Sequence, residues 1–232
     1  MKNIDFKQKK HLFFDLDHTL WDFDKNSAVA FDVIFNEYNF PFTTDQFLEQ
    51  YIPRNQYYWK LYQVDKISQQ ELRFKRLNDV FEILNVILPK AVVDTISDQY
   101  IEFLPNNNHL FEGTIELLEY LKPKYNLHIV TNGFHIVQDK KLENSKIKHY
   151  FTSITNSELA GVKKPHPNIF DYALSLAKAS KAESIMIGDS LEADVDGALE
   201  YGIDAIFFNE QKIQVDKKVF QINHLLELKN ML

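Results

Sequence analysis

Five short apolar runs, each bounded by polar or turn-forming residues, set the frame for this chain: Leu12 to Phe14, Leu127 to Val130, Phe151 to Ile154, Ile185 to Ile187 and Ile203 to Phe208. Runs of this length suit strands buried on both faces. Between the later ones lie stretches with helical periodicity, Thr114 to Leu121, Phe134 to Leu142, Asn168 to Ala177 and Leu191 to Tyr201. Alternation of strand and helix predicts an α/β fold built on a doubly wound, Rossmann-like parallel sheet. At 232 residues, 45% of them hydrophobic, the chain is long enough to bury such a core. Beyond Gln211 the pattern predicts a loop, a short strand at Val219 to Ile222 and a closing helix.

Residues 23–108 break the alternation. Ala30, Phe31, Ile34, Phe35 and Tyr38 share one helical face, and Phe47, Leu48, Tyr51 and Ile52 share another. Ser68-Gln-Gln-Glu71 is a capping box, with Ile67 and Leu72 placed as its hydrophobic staple, opening a helix through Phe74, Leu77, Phe81 and Leu84. The expected organisation is a core of residues 1–22 plus 109–232 and an inserted α-helical cap over 23–108, returning near Pro105-Asn-Asn-Asn108. Ligands of open parallel sheets bind outside the carboxyl ends of the strands. An insertion leaving after the first strand is therefore expected to act as a lid.

The net charge of -7 argues against nucleic acid polymers and anionic membranes as partners. The absence of Cys excludes a disulfide framework, thiolate metal sites and thiol catalysis. The first residues contain no apolar leader segment, and no run of 18 or more apolar residues occurs, so a cytoplasmic protein is expected.

Each strand exit carries polar groups that can meet at one site. The first leads into Asp15-Leu16-Asp17, where residues two apart share one face of an extended chain, so the two carboxylates are expected to project together. Like charges this close repel unless a cation neutralises them or one holds a proton, and hard oxygens favour Mg²⁺ as that cation. The second exit, Thr131-Asn132-Gly133, offers donors for an anion. The third leads to Lys163-Lys164-Pro165, where Lys164, directly before the Pro, projects a positive charge; the fourth ends in Gly188-Asp189-Ser190, with Asp189 as a further metal ligand. This is the inventory for phosphoryl transfer through an aspartyl-phosphate on one carboxylate, with the second, Asp17, shuttling the proton.

In that order the motifs Asp15-Leu-Asp17-His-Thr19, Thr131-Asn132, Lys164-Pro165 and Gly188-Asp189-Ser190 with Asp194 resemble the haloacid dehalogenase-like hydrolase superfamily, over residues 11 to about 208. The resemblance implies Asp15 as nucleophile and metal ligand, and Asp17 as acid/base offering its main-chain carbonyl to the metal. It also implies Thr131 and Lys164 on the phosphoryl group, Asp189 on the metal, and Asp194 supporting Lys164 from behind. The helical insertion is similar to the superfamily's helical cap class. More narrowly, Phe13-Phe14-Asp15, Thr19-Leu20-Trp21-Asp22-Phe23-Asp24, Thr131-Asn132-Gly133-Phe134 and Lys164-Pro165-His166-Pro167-Asn168 resemble the YjjG-type pyrimidine 5'-nucleotidases, as does Asn55-Gln-Tyr-Tyr-Trp59 followed by Leu72-Arg73-Phe74. That likeness implies hydrolysis of nucleoside monophosphates such as UMP, dUMP and dTMP, with Phe23, Asn55, Trp59 and Arg73 as candidate substrate contacts.

Competing readings keep the fold and change the chemistry. A sugar phosphate or phosphoglycolate phosphatase and a phosphomutase share the same motifs; a 2-haloacid dehalogenase of the superfamily lacks the second acid, which Asp17 argues against. A non-enzymatic phospho-receiver would need an accessible aspartate, against which the large cap argues. His18 and His166 read as loop residues, and Tyr57, Tyr58 and Tyr62 as packing aromatics.

Overall fold

The computed structural model describes residues 4–216 and 218–232. Residues up to Asp22 together with His109–Leu232 form one compact unit, and Phe23–Asn108 forms a second. In chain order the elements are β1 (His11–Phe14), α1 (Phe23–Phe35), α2 (Thr44–Gln63), α3 (Gln69–Ile83), α4 (Lys90–Phe103), α5 (Thr114–Leu121), β2 (Asn126–Thr131) and α6 (His135–Asn144). After them come β3 (Phe151–Asn156), α7 (Ser157–Ala160), α8 (Pro167–Ala177), β4 (Ser184–Gly188), α9 (Gly197–Tyr201), β5 (Asp204–Phe208) and β6 (Phe220–Ile222). A 3₁₀ segment, Leu225–Asn230, stands where a closing helix is expected.

All six strands are parallel, in the order β3-β2-β1-β4-β5-β6. The chain runs outward from β1 to β3 and then returns to lay β4 on the other side of β1. The switch point, where crevices open in such sheets, therefore lies between β1 and β4. Strand β4 is buried at every position, which is why its sequence is continuously apolar rather than alternating. Phe13, Val130, Met186, Ala205 and Phe207 of the sheet share a core with Ile169, Phe170, Ala173 and Leu174 of α8 and with Ala198 of α9. Among the described residues no helix is long and apolar enough to cross a membrane.

One expected helix is divided. Leu191 to Tyr201 opens as a π-helical turn, Leu191–Asp196, before α9. The Ser190 carbonyl accepts from both Asp194 N–H (3.0 Å) and Val195 N–H (3.1 Å). Such wide turns occur mostly where a side chain must be delivered to a particular place, and here the side chain is Asp194.

The helical unit is capped as its sequence directs. Ser68 and Glu71 form the expected capping box at α3, and Thr43 with Gln46 forms a second at α2. Phe31 is the centre of its core, within 4.4 to 5.4 Å, between ring centroids, of Phe35, Phe47, Tyr51 and Tyr100. Arg76 lies in the same interior and is 2% exposed. Its Nη1 donates to Asn55 Oδ1 at 3.1 Å and its guanidinium stands 5.1 Å from the Tyr100 ring centroid, while Nε and Nη2 find no hydrogen-bond partner among the described residues. A buried charge so incompletely paired costs stability, and an apolar replacement of similar volume is neutral or stabilising by about 1–4 kcal/mol. Arg76→Met is therefore expected to hold or raise the thermal midpoint in a denaturation scan; a clear drop would mean that the guanidinium has a partner that solvent or a ligand supplies.

Candidate active site

Asp15 is the first residue past β1, and its N–H donates to the Ile187 carbonyl of β4 at 2.9 Å. That bond carries the β1–β4 pairing one residue further and fixes where the side chain leaves the sheet, at the switch point. Lys164 meets it from the loop before α8. Its Nζ donates to Asp15 Oδ1 and to the Val130 carbonyl, both at 2.6 Å, and forms an ion pair with Asp194 Oδ1, also at 2.6 Å. Burial works to lower the pKa of this ammonium, but Asp15 and Asp194 outweigh it and the net shift is upward. Asn132 holds the loop in place: Oδ1 accepts from the Lys164 N–H at 2.7 Å and Nδ2 donates to the Lys164 carbonyl at 3.0 Å. The Asn132 amide, expected as an anion donor, clamps the Lys164 main chain through its oxygen and one of its two hydrogens. Ser157 Oγ adds a bond to the Asn132 carbonyl at 3.1 Å.

Asp189 follows β4 and is pinned by Thr19, whose hydroxyl donates to Asp189 Oδ1 (3.2 Å) and accepts from the Asp189 N–H (3.1 Å). Asp194 packs against Gly188 so closely that a Cβ there would come within 2.2 Å of Asp194 Oδ2. Only a residue without a side chain fits, and the carboxylate that takes the space also accepts from the Ser190 N–H at 3.0 Å. One oxygen each from Asp15, Asp189 and Asp194 lies within 4.8 Å of the others. Burial, then the Asp194 charge, pushes Asp189 up to about 8. Burial also pushes Asp15 well above the carboxylate range, against the pull of Lys164. Three carboxylates facing one lysine leave an excess of negative charge on hard oxygen donors, and that set fits a divalent cation such as Mg²⁺.

The Asp15 and Asp17 side chains take different partners. Extended chain ends at Phe14, and from Leu16 the backbone turns, with Leu20 and Trp21 N–H both donating to the Leu16 carbonyl and His18 at φ 59. The rule that residues two apart share a face holds only along a strand. Asp17 stands outside the carboxylate cluster, and its side chain turns to α6 instead. Oδ1 accepts from Lys141 Nζ at 2.6 Å and Oδ2 from Gln138 Nε2 at 3.0 Å. Gln138 Nε2 also donates to Thr131 Oγ1 at 2.7 Å, and the Gly133 N–H donates to the same oxygen at 3.1 Å. With both lone pairs of the Thr131 hydroxyl occupied, its hydrogen is the group left to donate outward.

Gln138 and Lys141 were not among the expected site residues. A signal was present in the sequence: the two are three apart on one helical turn, on the face that buries Val137 and Leu142. Polar side chains on the inward face of a helix are unusual enough to ask for a partner.

The four expected cap residues fall inside the helical unit with separate surroundings. Phe23 is buried. Asn55 is buried and accepts from Arg76 and, at 3.4 Å, from the Tyr51 hydroxyl. Trp59 is half-buried, edge-on to Tyr62 with centroids 5.6 Å apart. Arg73 ties α3 to α4 through Asp98 and, at 3.4 Å, through Ser97 Oγ, so its guanidinium braces the helical unit. His166 caps α8, its Nδ1 accepting from the Asn168 N–H at 3.2 Å.

Known proteins resemble this chain in sequence and in fold. The sequence pattern of the Haloacid dehalogenase-like hydrolase family matches residues 12–208. The HAD-hydrolase YfnB of Bacillus subtilis is 30% identical over 97% of this chain and 98% of its own length. The pyrimidine 5'-nucleotidase PynA of Streptococcus pneumoniae is 31% identical over 88% of this chain and 86% of its own, and the pyrimidine 5'-nucleotidase YjjG of Escherichia coli is 31% identical over 85% of each. A crystal structure of YfnB bound to magnesium superposes with a TM-score of 0.87 at 29% identity, covering 96% of this chain and 98% of that one. L-2-haloacid dehalogenase from Xanthobacter autotrophicus, at 15% identity and a TM-score of 0.74, over 96% of this chain and 98% of its own, shares the fold. A matched pattern spanning all four strand ends, on a sheet whose switch point gathers an aspartate, a lysine and two further acids, leaves one assignment: the chain belongs to the haloacid dehalogenase-like hydrolases.

Proposed function

We propose that the protein is a Mg²⁺-dependent phosphomonoesterase that works through an aspartyl-phosphate on Asp15, and that its substrates are pyrimidine nucleoside monophosphates such as UMP, dUMP and dTMP. The observation that carries the chemistry is the Lys164 ammonium set on Asp15 at the switch point, with two more carboxylates alongside. An Asp15 oxygen attacks phosphorus, the bond from phosphorus to the ester oxygen breaks, and Asp17 gives its proton to the departing alkoxide. Water then gives a proton back to Asp17 as its oxygen bonds to phosphorus, and the acyl phosphate bond breaks to return Asp15. Lys164 and the Thr131 hydroxyl hydrogen face the phosphoryl oxygens, and Asp194 holds Lys164. The cation, held by Asp15, Asp189 and the Asp17 main-chain carbonyl, would neutralise phosphoryl charge.

The substrate class rests on PynA and YjjG, whose likeness runs through the helical insertion as well as the core. Glyceraldehyde 3-phosphate phosphatases match only part of the chain; that of Pyrococcus furiosus is 33% identical over 48% of it. Phosphate release should be measured from UMP, dUMP, dTMP, hexose phosphates, glyceraldehyde 3-phosphate and phosphoglycolate, with Mg²⁺ and with chelator. Pyrimidine nucleotides are expected to give the highest kcat/KM, and chelator to stop turnover. No release from any ester in Mg²⁺ rejects the phosphatase, and a preference for sugar phosphates rejects the nucleotidase alone.

A further inference from the structure

Three observations on α6 stand apart from the family's four motifs. Lys141 is 2% exposed, a position an ammonium occupies only with strong partners; its Nζ holds Asp17 Oδ1 at 2.6 Å and lies 4.3 Å from the Trp21 ring centroid. The amide nitrogen of Gln138 bridges Asp17 and Thr131, the proposed proton carrier and the proposed phosphoryl donor. Gly133 leaves the room this bridge needs, since a Cβ there would stand 2.3 Å from Gln138 Nε2. The turn that carries Asp17 is also tied to the end of α6, because Trp21 Nε1 donates to Ser145 Oγ at 3.1 Å. Both oxygens of Asp17 are thus addressed by one helix, and the same helix addresses Thr131.

We propose that Lys141 and Gln138 are positioning residues that aim the Asp17 carboxyl group for its two proton transfers, a role that rests on the reading of Asp17 as acid/base. Neither touches the phosphoryl group. They act by restricting the carboxyl group's orientation, as outer partners do when they fix a group that reacts. Their loss leaves Asp15 free to attack but leaves the departing alkoxide and the attacking water without an aligned proton carrier.

That difference separates positioning from mere structural support. A p-nitrophenolate leaving group departs without a proton, so with p-nitrophenyl phosphate the first step proceeds without Asp17 while the second still needs it. Rapid mixing of Lys141→Met with p-nitrophenyl phosphate and Mg²⁺ is expected to release a burst of about one p-nitrophenol per enzyme and then turn over slowly. Intact-mass analysis of the quenched sample is expected to find one added phosphoryl group. With UMP the same variant is expected to lose about 10–100-fold in kcat at nearly unchanged KM, without a burst, the size of loss that follows when an outer partner of a reacting group is removed and less than the loss of the acid–base group itself. Gln138→Ala should show the same pattern more weakly, and Lys141→Arg should restore much of the rate.

Equal slowing on both substrates with no phosphoenzyme, or wild-type kinetics in both variants, overturns the proposal. If Lys141→Met does not fold, Gln138→Ala, which keeps the buried ion pair, decides it alone. Wild-type protein run alongside tells this failure from the larger one: if it releases no phosphate from any ester, the phosphatase reading has failed, whereas normal wild-type turnover confines the failure to α6.

Discussion

Asp15→Asn is expected to reduce phosphate release from the best substrate by about 10³-fold or more while leaving the fold in place. The amide has almost the same volume, but it is a poor nucleophile and cannot form the acyl phosphate. Removing the serine nucleophile of a serine protease costs about 10⁶ in kcat, so the expected loss is conservative. Stability should move the other way. Asp15, Asp189 and Asp194 crowd oxygens within 4.8 Å, and burial raises Asp15 and Asp189 above the ordinary carboxylate range. Carboxyls with raised native pKa values contribute stability that is complete below their unfolded values, near 4. It is lost as pH rises through the native values, which for Asp189 is about 8. At neutral pH without metal the cluster is therefore a liability, and taking one charge away should raise the thermal midpoint in chelator. Normal turnover by Asp15→Asn, with its mass and sequence verified, would remove Asp15 as nucleophile.

The fold was legible because its strands are short and apolar and its helices amphipathic. Thr114 to Leu121 is helical over those very residues, and each expected strand appears within one or two residues of its expected bounds. The α3 capping box was legible because its four residues are contiguous. What the sequence did not disclose depends on distance in space. The π-helical turn at Leu191–Asp196 follows from where Asp194 has to reach, against Gly188, the last residue of β4. Periodicity over the window carries no such information.

The candidate site divides along the same line. Asp15, Asp189, Asp194 and Lys164 come together as their strand ends promised, because a parallel sheet puts every carboxyl end on one side. The partners of Asp17 and Asn132 were not legible, since neither the turn after Phe14 nor the reach of Asn132 to the Lys164 main chain can be read from neighbours in sequence. Arg73 followed the resemblance of a segment, and its side chain pairs with Asp98 of α4, a partner that lies outside that segment.

Lys164→Met is expected to lose both activity and stability, which sets it apart from Asp15→Asn. The variant removes the cation proposed to face the phosphoryl oxygens, and deleting one such electrostatic group costs about 10²–10³ in kcat. It also leaves Asp15 and Asp194 buried without their shared ammonium, and breaking a buried pair from one side costs about 3–5 kcal/mol. At roughly 2–4 °C per kcal/mol for a chain of this size, the thermal midpoint should fall by on the order of 10 °C. Asp194, 1% exposed, is the partner most exposed to this loss because Lys164 is its cation and the Ser190 N–H its remaining donor among the bonds described. Adding Asp194→Asn to Lys164→Met should therefore recover part of the stability and none of the activity. Such a recovery is the signature of two groups that interact directly, and the double-mutant cycle in thermal denaturation measures it. Additive losses would mean that Asp194 is stabilised by something other than Lys164, and its assignment as the support behind that lysine would fall.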